Sequence, residues 1–160
     1  MNRIEQIRQH MEAMIQKFGW FVQGVFPTAG SPGQEFSYSV GLHDKGLPEV
    51  LVIGLPMQSA HVLVNDVANY LVAQKEKGWH VGETLLNHDN WPMPFYLLPA
   101  ADDTGTMYAT GAHRRSSGAA KYLQVVWPDT QGLFPWQTGY EDRFRPEQSV
   151  LGFPAEVKGS

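Results

Sequence analysis

The segment Tyr122 to Trp136 reads YLQVVWPDTQGLFPW and constrains the fold more than any other stretch of the chain. Through Trp127 it is rich in β-branched and aromatic residues and predicts a strand, with Leu123, Val125 and Trp127 sharing one face. Pro128, Asp129 and Gly132 then end the strand in a turn that lies between Trp127, Phe134 and Trp136. Aromatic side chains of this size must pack on something. The segment therefore predicts either the aromatic wall of a ligand pocket around a single carboxylate, or a rigid corner in which Asp129 caps its own turn.

The rest of the chain supplies partners for that strand. Ile4, Ile7, Met11, Met14, Ile15 and Phe18 recur at helical spacing between a capping Asn2 and a terminating Gly19. Trp20 to Phe26 reads as a strand, and Pro27 to Gly33 as a turn-rich connection. From Glu35 to Leu42 apolar and small polar residues alternate, which marks a half-buried strand. Val50 to Leu55 is a buried strand, joined to it by the loop His43 to Glu49, and the two are expected to pair antiparallel. A second helix is predicted from about Gln58 to Lys77, with Ala60, Leu63, Val64, Val67 and Leu71 as its core stripe. Trp79 to Leu86 and Pro94 to Leu98 read as further strands, while the glycines of Ala101 to Ala120 leave that region undecided. Strands arrive in runs rather than in strict alternation with helices, so the expected fold is α+β: one domain over 1–158, a mostly antiparallel sheet packed by two main helices.

At 160 residues the chain can bury roughly 68–70% of its unfolded surface, enough for a core without staples. It has no cysteine, which excludes disulfides and thiolate chemistry and fits a reducing, cytoplasmic setting. A net charge of −4 argues against a nucleic-acid surface, and no apolar run is long enough to span a membrane. The histidines, at 10, 43, 61, 80, 88 and 113, show no metal-ligand spacing, so neither a metal nor a cofactor is expected.

Several residues could carry chemistry. Ser37, Ser39 and Gly41 form the small face of their strand, beside Tyr38, and His43 ends the row. A ligand lying there would meet hydroxyls, open backbone and a titratable imidazole; the alternative is a face packed closely under a helix. Glu49, one loop away, would orient His43 or act as a base. His61 sits at the flank of the second helix's apolar stripe, within reach of a pocket between helix and sheet. Arg114 and Arg115, between Gly111 and Gly118, offer guanidinium forks to a phosphate or carboxylate, although no phosphate-loop motif is present. Asp129, with Trp127 and Trp136, completes the set.

Gly19-Trp20, Phe36-Ser-Tyr-Ser-Val-Gly-Leu-His43, Leu47-Pro-Glu-Val-Leu-Val-Ile-Gly54, Leu123-Gln-Val-Val-Trp-Pro-Asp129, Gly132-Leu-Phe-Pro-Trp136 and Gln148 occur in that order. In this combination, from about Phe18 to Leu151, the chain resembles the bacterial domain-of-unknown-function family numbered 4262. The resemblance implies a single small bacterial domain and no particular reaction.

Two functional readings follow. In the first, a polar, nucleotide-like or phosphorylated small molecule binds over Ser37, Ser39 and His43, walled by Trp127 and Trp136 and contacted by Arg114 and Arg115. If turnover occurs, His43 is its base and Glu49 or Asp129 the orienter. In the second, the chain is an immunity- or inhibitor-type factor that docks a protein partner through an acidic, aromatic surface. The first requires His43, Glu49 and Asp129 to converge in a concave site; the second requires the aromatics to lie on an open patch.

Overall fold

Local signals set the first helix. Asn2 Oδ1 accepts a 2.8 Å hydrogen bond from Glu5 N, and Gly19, with φ of 101°, closes the helix by donating its N–H to Ile15 O. In the computed structural model, which describes residues 2–27 and 34–155, this helix is α1, Arg3–Phe18. It leads into β1 (Phe21–Val25), β2 (Phe36–Val40), β3 (Glu49–Ile53), α2 (Met57–Glu76), β4 (Thr84–Leu86) and β5 (Phe95–Pro99). The short helices α3 (Thr104–Met107) and α4 (Thr110–Arg115) precede β6 (Tyr122–Val126). Beyond Pro27, the turn-rich segment expected up to Gly33 lies outside the described residues, as does the end of the domain from 156 onward.

The strands make one six-stranded sheet in the order β1-β2-β3-β6-β5-β4. All neighbours are antiparallel except β3 and β6, which run parallel with Glu49 beside Tyr122. The fold is α+β, as expected. The β2–β3 hairpin is present, with Ser37 opposite Val52 and Tyr38 opposite Leu51. The parallel pair at the centre joins strands far apart in sequence, and it decides where the ends of β6 lie.

Alternation along β3 divides the core. Val50 and Val52 pack with Ala60, Leu63, Val64, Val67 and Leu71 of α2, whereas Leu51 and Ile53 face Ile15, Tyr38, Ala109, Ala112 and Tyr122. Helix α2 is further tied down by Trp20 Nε1, which donates to Asn65 at 2.8 Å, and by Trp91 Nε1, which donates to Asp66 at 3.1 Å. Helix α1 departs from expectation. Of its apolar row only Ile15 is buried, and Ile4, Ile7 and Phe18 stand exposed at the margin of the sheet.

Three glutamine amides strap the C-terminal segment to the sheet. Gln124 donates to Ser149 O and accepts from Leu151 N; Gln148 does the same with the carbonyl and N–H of Trp127; Gln34 donates to Pro146 O and accepts from Ser149 N. A side-chain amide offers a donor and an acceptor together, so each one stands in for a strand neighbour. Among the described residues no helix is long and apolar enough to cross a membrane.

Candidate functional site

Glu49 opens β3 and is 1% exposed. Its carboxylate accepts from Ser39 Oγ at 2.7 Å and from the backbone N–H groups of Gly41, Leu42 and His43 at 2.9, 3.1 and 3.3 Å. These donors begin a 3-10 turn, Leu42–Lys45, that follows Gly41 in the left-handed region at φ 115°. Burial pushes the Glu49 pKa up, opposed by the Ser39 hydroxyl and those three N–H groups. Glu49 therefore holds the main chain of His43: it accepts from the backbone N–H of that residue and leaves the imidazole unaddressed. A carboxylate saturated by local donors serves as a clamp and is poorly placed as an orienter or base.

The small face of β2 is closed. Ser37 and Ser39 are 1% and 0% exposed, Met57 of α2 occupies the space a side chain at Gly24 would need, and Gly24 stands opposite Ser37. Small residues let the helix approach the sheet, so the expected ligand face is a helix-packing face. Tyr38 points to the other side, and its hydroxyl accepts from Gly111 N at 3.0 Å.

Asp129 lies at the other end of the sheet. Because β3 and β6 are parallel and Glu49 pairs with Tyr122 at their beginnings, the turn that follows Val126 emerges at the far edge. The length of β6 alone separates the two ends by roughly 13 Å. Asp129 Oδ1 accepts from Gln131 N and Leu133 N, both at 2.9 Å, and Oδ2 accepts from Glu141 N at 3.0 Å. Burial acts to raise its pKa, but the N–H groups of Leu133, Glu141, Gln131 and Gly132 outweigh it and hold the carboxyl low. Asp129 caps its own turn and does not join His43 and Glu49 in one constellation.

The tryptophans expected as a pocket wall are packing residues. Trp127 is 7% exposed, and its indole N–H donates to Ile53 O at 2.7 Å. Trp136 is half-buried and stacks on Phe134, with Tyr96 edge-on to it. Neither lines an open patch, so the aromatic surface expected for a protein-docking factor is also absent at these two residues. His61 is exposed on α2 rather than turned into a pocket between helix and sheet.

The Gly111 to Gly118 region is helical over most of its length, and its arginines divide. Arg115 donates to both oxygens of Glu12 on α1, at 2.7 and 3.1 Å, and lies 2.8 Å from Asp44 in the 3-10 turn. The hydrogen bonds to Glu12 and Asp44 push its pKa further up, and the partnership holds that of Asp44 low. Arg115 is committed to joining three elements. Arg114, one position earlier, is exposed and borders a cleft of about 610 Å³ between α1 and α4.

That cleft is the concave site bordered by a sequence-predicted candidate residue, Arg114. Its lining includes Ile7, Arg8, Met11 and Glu12 of α1, Val25 and Tyr38 of the sheet, and Arg114 and Arg115 of α4, with Glu12 held by Arg115. Tyr38 is 3% exposed and accepts from Gly111, so its own hydroxyl hydrogen, without an acceptor among the described residues, can serve a bound group. The helical periodicity of Ile4, Ile7 and Met11 identifies an apolar face without saying what covers it, and Arg8 carries no local signal because the rest of the cleft is remote in sequence. Among the described residues, no group of three His, Cys, Asp or Glu is placed to hold a metal.

No curated protein and no solved structure matches this chain. A family model, Domain of unknown function (DUF4262), matches residues 14–141, which span β1 to β6 and the Asp129 turn. The chain belongs to that family.

Proposed function

We propose that the protein binds a small phosphorylated or carboxylated molecule with an apolar portion, in the cleft between α1 and α4. The observation that carries this reading is the pairing of two arginines, Arg8 and Arg114, with an apolar interior of Ile7, Met11 and Val25 in one volume of about 610 Å³. That size suits a small ligand, and the composition matches an apolar pocket with a few polar groups that fix orientation. The guanidiniums would take the anionic oxygens and the Tyr38 hydroxyl a further one. Binding without turnover fits best, because Glu49 and Asp129 are saturated by backbone donors at opposite ends of the sheet. A bacterial, cytoplasmic setting, expected from the cysteine-free composition and the resemblance, belongs to the same proposal.

A protein partner is the second reading. It is favoured by the exposure of Ile4, Ile7 and Phe18, at 67%, 57% and 56%, along one helix.

Thermal unfolding and calorimetric titration with phenyl phosphate, octanoate and inorganic phosphate test the first reading. Phenyl phosphate or octanoate should stabilise the wild type, and the Arg8→Ala/Arg114→Ala variant should lose most of that gain. Equal stabilisation of both proteins, or none of the wild type, would overturn it. In the latter case self-association or pull-down that is lost on Ile4→Ser/Ile7→Ser would favour the partner.

A further inference from the structure

The C-terminus of α2 carries an exposed tryptophan on a rigid mount. Gly78, at φ 82°, donates to Lys75 O at 2.8 Å, and Trp79 N donates to Gln74 O at 2.9 Å. This is the paired hydrogen bonding of a glycine-terminated helix, in which the residue after the glycine usually turns a hydrophobic side chain back onto the last turn. Trp79 instead is 65% exposed and borders a hollow of about 300 Å³ whose other walls include Leu47, Pro48 and Val81. The backbone is held while the indole is left facing solvent beside a cavity.

The charge around this indole is positive. Lys77 Nζ stands 5.9 Å from the ring centroid, Lys75 lines the hollow, and Lys45 lines the adjoining one, whose lining also includes the carboxylate Glu76. Lys75 Nζ donates to Lys45 O at 2.6 Å, which fixes one ammonium at the wall and leaves it further hydrogens to donate. A cationic ligand would meet these lysines as like charges; an anionic one is complementary to them. An aromatic face beside ammonium groups favours a planar ring that carries the anion.

We propose that Trp79 and its lysines form a second ligand site, which takes a planar aromatic anion of the mononucleotide kind, with the ring on the indole and the phosphate on Lys75 and Lys77. A hollow of about 300 Å³ lies at the small end of ligand sites, with room for one ring system. Single-stranded nucleic acids are held on successive aromatic platforms, and the hollow presents one. The site shares no lining residue with the α1–α4 cleft, so it stands or falls independently of the function proposed above.

Adenosine monophosphate is the probe, titrated into the full chain by calorimetry and tryptophan fluorescence, with adenosine, inorganic phosphate and a short single-stranded oligonucleotide as comparisons. The expected result is saturable quenching by the monophosphate, with affinity above that of adenosine or phosphate alone. Trp79→Ala should lower that affinity by roughly tenfold, the scale of one lost stacking contact. Trp79→Phe should restore most of it, and Lys77→Met should weaken it severalfold. Circular dichroism and thermal unfolding of each variant establish that it is folded. Absence of saturable binding, an affinity indifferent to Trp79→Ala, or tighter binding of the oligonucleotide than of the monophosphate would each overturn the assignment.

Discussion

Ser39 and Glu49 are locked together across the β2–β3 hairpin: the Ser39 hydroxyl donates to the Glu49 carboxylate at 2.7 Å and accepts from the neighbouring Val50 N–H at 2.8 Å. With the N–H groups of Gly41, Leu42 and His43 on the same carboxylate, this pair sets the start of the 3-10 turn that carries His43 and Asp44. Glu49→Ala leaves these buried donors without an acceptor. The expected cost is about 3–5 kcal/mol in urea unfolding, a large value of the kind buried unsatisfied groups produce. Amide exchange at residues 41–43 should rise well beyond that of the rest of the sheet.

Glu49 and Asp129 should shape the pH dependence of stability in opposite senses. The folded Glu49 pKa is raised above its ordinary 4.5, so the folded state holds that proton more readily than the unfolded chain. Its contribution is therefore fully present below 4.5 and is lost as pH rises through the folded value. Asp129 is lowered from 3.8, so its contribution is present above 3.8 and is lost as pH falls through the folded value. Urea unfolding from about pH 3 to about pH 7 checks both signs. Glu49→Gln should remove the loss on rising pH, and Asp129→Asn should flatten the acid limb.

Gly54 ends β3 at φ 94°, and a Cβ there would run into the Glu147 carbonyl and press on the Trp127 ring. Gly54→Ala should therefore destabilise by more than about 1 kcal/mol, since neither the backbone conformation nor the space suits it. Trp127→Ala should cost about 3–5 kcal/mol as a large core aromatic. Both values come from denaturant titration, and a loss under about 0.5 kcal/mol would place either residue with ordinary surface positions.

Arg114 and Arg115 should separate by phenotype although they are adjacent. Arg115→Ala breaks the contacts to Glu12 and Asp44 that tie α4 to α1 and to the 3-10 turn. These partners are partly solvent-exposed, so the expected loss is about 1 kcal/mol, with a midpoint shift that shrinks at high salt. Arg114→Ala should change stability by less than about 0.5 kcal/mol and act on ligand binding alone. Thermal unfolding at low and high salt, paired with titration of phenyl phosphate, checks both.

Much of the fold was legible because the signals are local. Asn2 and Gly19 cap their helix through bonds that span only a few residues, and the alternation from Phe36 to Val40 fixes a strand whatever its neighbours are. The site was less legible, because each candidate's role depends on what covers it. The Ser37 and Ser39 row has the composition of an open ligand face or of a helix-packing face, and only α2 chooses between them. The Ile4 and Ile7 row has the periodicity of core, and only its place at the sheet margin leaves it exposed beside a cleft.

By itself the sequence determined where the main helices and strands form, that Asp129 sits in a turn after a strand, and that Glu49 follows His43 by one loop. The tertiary structure decided which end of the sheet each carboxylate occupies. The pairing of β3 with β6 is parallel and joins residues 73 positions apart in sequence, and no local pattern encodes its direction. That single pairing separates Asp129 from His43 and Glu49, while the packing of α4 against α1 and the 3-10 turn places Arg115 and not Arg114 in an ion-pair clamp and leaves a cleft between α1 and α4.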